Sequence, residues 1–184
     1  MSAPGSADSV DGADGGGAPR IHSTDPAPLL EAAFRRIETN DMAGVPMLNP
    51  ALRVEAIGFD RWQGHWLGIL ITPWFMNLVL VPGEAASWNS VAPGKRRFLR
   101  FPSGDFAFLG SEEPELGEFQ CCSLFSPMTQ FSDQDGAREV GLAALAALRR
   151  PAETTASQTP SDPQPASGRP MSKREFLGAV FRRG

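Results

Sequence analysis

Six short segments of strand-forming residues follow one another in the middle of the chain, and Gly- and Pro-containing turns separate them. The segments span residues 52–59, 65–72, 76–82, 95–101, 104–110 and 118–125. Parallel neighbours need long crossover connections, usually containing a helix, and most of the connections here are only a few residues long. The pattern therefore predicts a mostly antiparallel sheet of about six strands.

One helical segment precedes these strands and another follows them. Asp25 and Pro26 form a helix-entry signal. The apolar residues that follow repeat at helical spacing: Leu29, Leu30, Ala33, Phe34 and Ile37. After the last strand, Ser132 or Asp133 is suited to cap a second helix, which Pro151 ends. We therefore expect an α+β fold, in which an N-terminal and a C-terminal helix flank the sheet.

The two ends of the chain differ in composition from its centre. Residues 1–24 contain almost nothing that could enter a core and are expected to be disordered. Residues 151–170 hold five prolines among many Ser, Thr and Ala residues, which predicts a semi-extended linker. A single folded domain is expected at 25–150, and residues 171–184 form a basic tail.

The tail carries the sequence "SKREFLG", one residue away from the core of a twin-arginine export signal, Ser-Arg-Arg-x-Phe-Leu-x. Its matching residues are Arg174, Phe176 and Leu177, while Lys173 replaces the first arginine. Only three apolar residues follow the motif, so we do not expect it to export this chain. Residues 25–150 carry a net charge of −4 and residues 169–184 a net charge of +4, so an acidic body bears a basic tail.

Residues suited to catalysis or metal binding are sparse in the expected domain. It contains one histidine, His65, and two adjacent cysteines, Cys121 and Cys122, which a strand would point to opposite faces. Phosphate-binding glycine loops and a Gly-x-Ser-x-Gly nucleophile motif are missing from its sequence. We therefore predict no catalytic residues, no metal and no cofactor.

The sequence also bears on where the chain resides. No run of apolar residues approaches the roughly 18 that a membrane helix needs. Adjacent cysteines do not suggest a disulfide framework, which is typical of a reducing compartment. We expect a cytoplasmic protein that does not insert directly into a membrane.

The sequence leaves two functions open that would need particular side chains. A thiol-dependent enzyme or redox factor would use Cys121 and Cys122, with His65 as the available base. A nucleic-acid-binding regulator would use "KRRFLRF", with Lys95 and Arg97 on the outward face of its strand. A charged edge strand that prevents aggregation is the commoner explanation of that sequence, and the net charge of −4 disfavours nucleic acid as a partner.

The remaining candidate is a surface that binds polypeptide, since Met and aromatic residues suit adaptable binding surfaces. Its apolar residues would be Trp74, Phe75, Met76, Met128 and Phe131. Its acidic residues would be Glu112, Glu113, Glu115 and Glu118, which lie in a proline-containing turn. The alternative is that the apolar residues belong to a loop packed over a small core.

Four blocks of sequence resemble those of the HybE/HupJ family of [NiFe]-hydrogenase assembly chaperones. They are "GVPMLNPALRVEAIGF", "LGILITPWFMNLVLVP", "FPSGDFAFL" and "CSLFSPMTQFSDQDGAR", and the resemblance covers about residues 27–148. It implies a non-enzymatic cytoplasmic factor for the maturation of an uptake hydrogenase. The implied partners are the large-subunit precursor and the small-subunit precursor with its twin-arginine signal, whose export the family is thought to coordinate with maturation.

This resemblance suggests a role for the tail. Lys173, Arg174, Phe176 and Leu177 would act as a pseudo-signal, occupying the site that the signal of the precursor takes over. The alternative is a short amphipathic helix that docks back on the domain.

Overall fold

In a computed structural model, the structure describes residues 18–42, 44–151 and Gly178. The elements are α1 (Ala27–Asn40), β1 (Glu55–Trp62), β2 (His65–Ile71), β3 (Met76–Val81), β4 (Arg96–Phe101), β5 (Gly104–Glu113), β6 (Gly117–Phe125) and α2 (Gln134–Leu148). The predicted α+β fold, with a six-stranded sheet between two helices, is confirmed. The predictions for residues 1–17, for the linker beyond Pro151 and for the tail motif apart from Gly178 lie outside the described residues.

The six strands form one sheet in the order β1-β2-β3-β6-β5-β4, and every pair of neighbouring strands is antiparallel. The central strands β2 and β3 are buried on both faces, which explains their nearly continuous apolar sequences. The strands β1 and β4 are the edges. The sequence "KRRFLRF" therefore supplies an edge strand, as its charge predicted.

β1 begins at Glu55 and ends at Trp62, three residues later at each end than expected. Glu55 pairs with Ile71, the last residue of β2, so residues before Glu55 have no partner strand there. At the other end, Gln63 has a φ of 49° and the following glycine a φ of 84°, and this tight turn lets Trp62 pair with His65.

The two helices cover opposite faces of the sheet. On the face that we call outer, α1 packs its buried residues against β2, β3 and the start of β6. The outer core consists of Leu30, Ala33, Phe34, Val54, Leu70, Val79, Val81, Leu116 and Phe119. On the inner face, α2 packs Ala137, Ala144, Leu145 and Leu148 against residues of β2, β3, β4, β5 and β6. Asp133 caps α2 by accepting a hydrogen bond from the Gly136 amide over 2.8 Å.

The sheet curls around the inner core until two of its corners meet. Trp62 at the end of β1 stacks on Phe101 at the end of β4, with ring centroids 4.6 Å apart and an interplanar angle of 22°. We call this contact the seam. Ser103, two residues beyond Phe101, donates a hydrogen bond to the carbonyl of Leu148 over 3.1 Å. The last turn of α2 therefore ends beside the seam.

An arm at residues 18–24 continues the folded region N-terminal to the expected start at residue 25. Its anchor is His22, whose amide donates to the carbonyl of Pro82 over 2.9 Å. The His22 Nε2 lies 2.9 Å from the carbonyl of Leu116, and its own carbonyl accepts from the Trp66 indole over 2.8 Å. These bonds fix the arm across one end of the sheet.

Glu55 connects β1 to α2. Its carboxylate accepts hydrogen bonds from Arg138 over 2.8–2.9 Å and from the Gln134 amide over 2.6 Å. Partial burial raises the pKa of Glu55, but the hydrogen bonds and charge of Arg138, with the bond from Gln134, outweigh it and leave the pKa below its usual value.

Replacing Glu55 by glutamine should lower the free energy of unfolding by about 1–2 kcal/mol at pH 7, because charge-assisted hydrogen bonds are lost. A carboxyl with a lowered pKa stabilises the fold above its unfolded pKa, and this is lost as pH falls through the folded pKa. The difference from wild type should therefore shrink below the ordinary pKa of 4.5. Urea titrations at several pH values measure it, with Glu139→Gln on the exposed side of α2 as control. A difference independent of pH would contradict the assignment.

Candidate polypeptide-binding surface

The apolar residues of the predicted site are divided between the two faces of the sheet. Met76 and Met128 are fully buried and Phe131 is 7% exposed, and all three belong to the inner core. Trp74 and Phe75 are half-buried and pack on the outer side. The expectation of one exposed surface must therefore be corrected for the first three residues.

A hydrogen-bonded segment explains this burial. The side-chain amide of Asn49 donates to the carbonyl of Met128 over 3.0 Å and to that of Phe131 over 2.7 Å. These bonds hold the segment after β6 against the inner core. For Met128 and Phe131, the structure therefore agrees with the alternative prediction of a loop packed over a core.

Trp74 and Phe75 are held by the turn that precedes β3. The Thr72 hydroxyl accepts hydrogen bonds from the amides of Trp74 over 3.3 Å and Phe75 over 2.9 Å, and donates to the Phe75 carbonyl over 3.0 Å. Phe75 packs edge-on against Trp74, with centroids 5.6 Å apart, and against Phe34 of α1, at 5.8 Å. The ring pair is therefore fixed on the outer side beside α1.

The four predicted glutamates are also divided by the sheet. β5 continues to Glu113, further than expected, and Glu112 pairs directly with Glu118 of β6. Because side chains alternate along a strand, Glu112 and Glu118 lie on the inner side. There, Glu118 accepts hydrogen bonds from the Trp88 indole over 2.8 Å and the Ser90 hydroxyl over 2.6 Å.

The other two glutamates lie on the outer side beside α1. Arg36 of α1 approaches the carboxylate of Glu113 to 3.3 Å and that of Glu115 to 3.4 Å. Its side chain is 42% exposed, so one accessible cation serves two carboxylates. Arg20 of the N-terminal arm binds the backbone carbonyl of Glu115 rather than its carboxylate.

Next to this acidic pair, the outer face of β4, β5 and the part of β6 beyond Phe119 has no helix over it among the described residues. We call this region the uncovered face. It consists of Phe98, Ala107, Leu109, Ser111, Cys121 and Ser123. Phe98 is 69% exposed and Leu109 40% exposed. Cross-strand pairing sets Phe98 beside Ala107 and Leu109 beside Cys121, so apolar groups from three strands adjoin each other.

β4 presents a different set of residues outward from the one expected. Leu99 and Phe101 fill the inner core, so Arg97 lies on the inner side and donates a hydrogen bond to the Asn89 carbonyl over 2.9 Å. The prediction that Arg97 faces outward is therefore wrong. The outward side chains of β4 are Arg96, Phe98 and Arg100.

The basic character of this strand is partly neutralised. Arg100 makes two hydrogen bonds of 2.8 Å to the carboxylate of Asp105, and each partner shifts the pKa of the other further toward the charged form. Lys95, which directly precedes β4, and Arg96 remain as exposed cations without an ion pair among the described residues. Phosphate binding along a nucleic acid needs several such cations, so the strand gives the nucleic-acid alternative little support.

The two thiols lie on opposite faces of the sheet, as strand alternation predicted. Cys122 is buried in the inner core, and Cys121 is half-buried on the outer side with its Sγ 3.6 Å from the Ser111 hydroxyl. Burial raises the pKa of the Cys121 thiol, although the Ser111 hydrogen bond opposes the rise. A neutral thiol is a weak nucleophile.

His65 is not placed to activate either thiol. Its Nδ1 accepts a hydrogen bond from the Gly83 amide over 3.3 Å, and its Nε2 lies 3.4 Å from the Ser87 hydroxyl. Burial lowers the pKa of His65. Within residues 18–42 and 44–151, no cluster of His, Cys, Asp and Glu is arranged to hold a metal ion. In the same part of the chain, neither helix is long and apolar enough to cross a membrane.

A rigid sheet that presents an apolar face beside accessible carboxylates is typical of proteins that bind other polypeptides. The chain belongs to the family described as "[NiFe]-hydrogenase assembly, chaperone, HybE", which it matches over residues 25–179. The resemblance inferred from the four sequence blocks is thereby confirmed. The match includes the whole of the tail sequence "SKREFLG", residues 172–178.

Individual relatives agree with this assignment. The chain is 41% identical over 158 residues to the hydrogenase expression/formation protein HupJ of Bradyrhizobium diazoefficiens, covering 85% of this chain and 90% of that protein. It is 44% identical over 132 residues to the protein HoxT of Cupriavidus necator, covering 65% and 73% respectively. The solution structure of HybE from Escherichia coli shares the fold, with a TM-score of 0.59 at 23% identity, over 83% of this chain and 95% of that one.

Proposed function

We propose that this protein is a non-enzymatic cytoplasmic chaperone that binds the subunit precursors of an uptake [NiFe] hydrogenase. Its partners are the large-subunit precursor and the small-subunit precursor with its twin-arginine signal, and it coordinates their maturation with export. Family membership supports the class of function. The observation that carries the mode of binding is the apolar outer surface beside Glu113 and Glu115.

The chemistry of a twin-arginine signal matches this surface. Guanidinium groups bind carboxylates through charge-assisted hydrogen bonds, and Glu113 and Glu115 share the single cation of Arg36. The Phe and Leu of the signal require an apolar surface, which Trp74, Phe75 and the uncovered face provide. The proposed site therefore contains Glu113, Glu115, Trp74 and Phe75. The other predicted site residues lie on the inner side of the sheet.

The tail belongs to the same proposal. Lys173, Arg174, Phe176 and Leu177 present a cation pair followed by two large apolar residues, the order found in the signal itself. In the resting protein this pseudo-signal occupies the site, and the signal of the precursor displaces it.

Titration calorimetry with a peptide carrying the small-subunit signal tests the proposal. A chain ending at Gly168 should bind the peptide about tenfold more tightly than the full chain, because the tail no longer competes. Both should bind more weakly at high salt, since arginine–carboxylate contacts are screened. Equal affinity would remove the pseudo-signal, and no binding by either chain would remove signal recognition and leave the large-subunit precursor as the client.

A further inference from the structure

We propose that residues 172–181 dock on the uncovered face as a short amphipathic helix and form the missing part of the outer layer. The inference deepens the proposed function by giving the place where the tail binds in the resting protein. It rests on that function only for the identity of the partner that displaces the tail. The docking itself is independent of any hydrogenase subunit.

The first argument is the incomplete outer layer. α1 covers the half of the sheet that contains β1, β2 and β3, and a second helix is missing over β4, β5 and β6 among the described residues. A helix is about 10 Å wide and strands lie about 4.8 Å apart, so one helix covers the width of the uncovered face. Ten helical residues span about 15 Å, roughly five residues along a strand.

The second argument is the apolar pattern of the tail. Phe176, Leu177, Val180 and Phe181 have the spacing i, i+1, i+4 and i+5, which places them on one side of a helix. On the uncovered face, the exposed Phe98 and Leu109 are the large apolar side chains that such a stripe would bury.

The third argument is where the chain leaves the domain. Pro151 follows the end of α2, beside the seam formed by Phe101 and Trp62. The first turn of the docked helix lies beside Glu113, nine residues along β5 from Gly104, the strand partner of Phe101, or about 30 Å from the seam. The 20 residues between Pro151 and Ser172 have a root-mean-square reach of about 25 Å for a chain of this length and span about 66 Å when fully extended. The motif can therefore reach the uncovered face by passing around the edge strand.

The fourth argument is charge. The tail carries a net charge of +4 over residues 169–184, and its first cations, Lys173 and Arg174, precede the apolar stripe. At one end of the uncovered face, Arg36 is the one cation paired with Glu113 and Glu115 among the described residues. A helix whose first turn points to these carboxylates places opposite charges together, and charge pairing fixes its direction.

Cys121 provides a reporter because it lies within the uncovered face and is half-buried. In the full chain, Phe176→Asp/Leu177→Asp should release the tail and raise the rate of Cys121 alkylation by iodoacetamide about tenfold, the change expected when a segment docked in nine of ten molecules is freed. Fragment-ion mapping separates this thiol from the buried Cys122. The control is Ala179→Asp, which adds one negative charge on the opposite side of the helix and should change the rate little.

A second variant tests the same contact by changing the uncovered face instead of the tail. Phe98→Asp should accelerate Cys121 alkylation as the tail variant does, whereas Leu142→Asp, at an exposed leucine of α2, should not. Unchanged rates in both test variants would overturn the inference. A dimer seen in sedimentation, whose dissociation alone exposed Cys121, would also overturn it, because a second copy would then cover the face. Protection of Cys121 by added signal peptide alone would overturn it as well, because the tail would then not cover that thiol. Loss of signal binding with tail-dependent protection intact would overturn the proposed function and leave the docking in place.

Discussion

Replacing Phe101 by alanine is expected to lower the free energy of unfolding by about 4 kcal/mol. Phe101 is 3% exposed, and its ring lies 4.6 Å from that of Trp62, 5.7 Å from Phe106 and 6.1 Å from Phe108. Truncation removes its own buried surface and leaves a cavity at the seam, where the two edges of the curled sheet meet.

The matched control is Phe98→Ala on the same strand, and both variants are made in a chain ending at Gly168, where the tail does not cover Phe98. Phe98 is 69% exposed on the outer face, so its truncation should change the free energy of unfolding by about 0.5 kcal/mol or less. Chemical denaturation of both variants measures the difference. Equal effects would mean that β4 is shifted by one residue, since such a shift exchanges the faces of every side chain.

The strands and their faces were largely predictable from period-two alternation and turn residues. In β5, Phe106 and Phe108 point inward and Leu109 outward, as alternation requires. In β4, Phe98, Leu99 and Phe101 are all apolar, so alternation alone did not decide which parity faces the core. The wrong placement of Arg97 arose from this ambiguity.

The curl of the sheet could not be predicted in this way. Trp62 and Phe101 lie on opposite edge strands, 39 positions apart in sequence, and no local pattern indicates that they stack. The curl buries the inner core, and with it Met76, Met128 and Phe131. The sequence suggested an exposed surface because large apolar residues adjoin an irregular segment. Their burial depends on contacts between residues that are distant in sequence, which a local pattern does not show.

The prediction that all four glutamates lie in one turn was also wrong, and its cause is local. Pro114 suggested that the whole acidic sequence was a turn, but pairing of Glu112 with Glu118 and of Glu113 with Gly117 extends the strands to the proline. Alternation then separates neighbouring glutamates onto opposite faces. The four glutamates therefore form two pairs in space. Glu113 and Glu115 border the uncovered face, and Glu112 and Glu118 lie on the inner side.

This separation yields the sharpest test of the proposed site. The double substitution Glu113→Gln/Glu115→Gln should weaken binding of the signal peptide about 30-fold, because hydrogen bonds to charged partners worth about 2 kcal/mol in total are lost. The comparison is best made in a chain ending at Gly168, where the tail does not compete. Calorimetry at low and high salt should show a smaller salt dependence for the variant, since two of the screened carboxylates are gone.

The matched control is Glu112→Gln/Glu118→Gln, which removes the same charge from the same turn on the inner side. Glu118 holds Trp88 and Ser90, so this control should lose some stability but keep its affinity for the peptide. Net charge is identical in the two double variants, and any difference in affinity reports the face on which the signal lies. If both weaken binding equally, the peptide responds to overall charge and the outer surface is not its site. If only the inner pair matters, the client binds the opposite side of the sheet, and the assignment of Trp74 and Phe75 to the site falls with that of the outer glutamates.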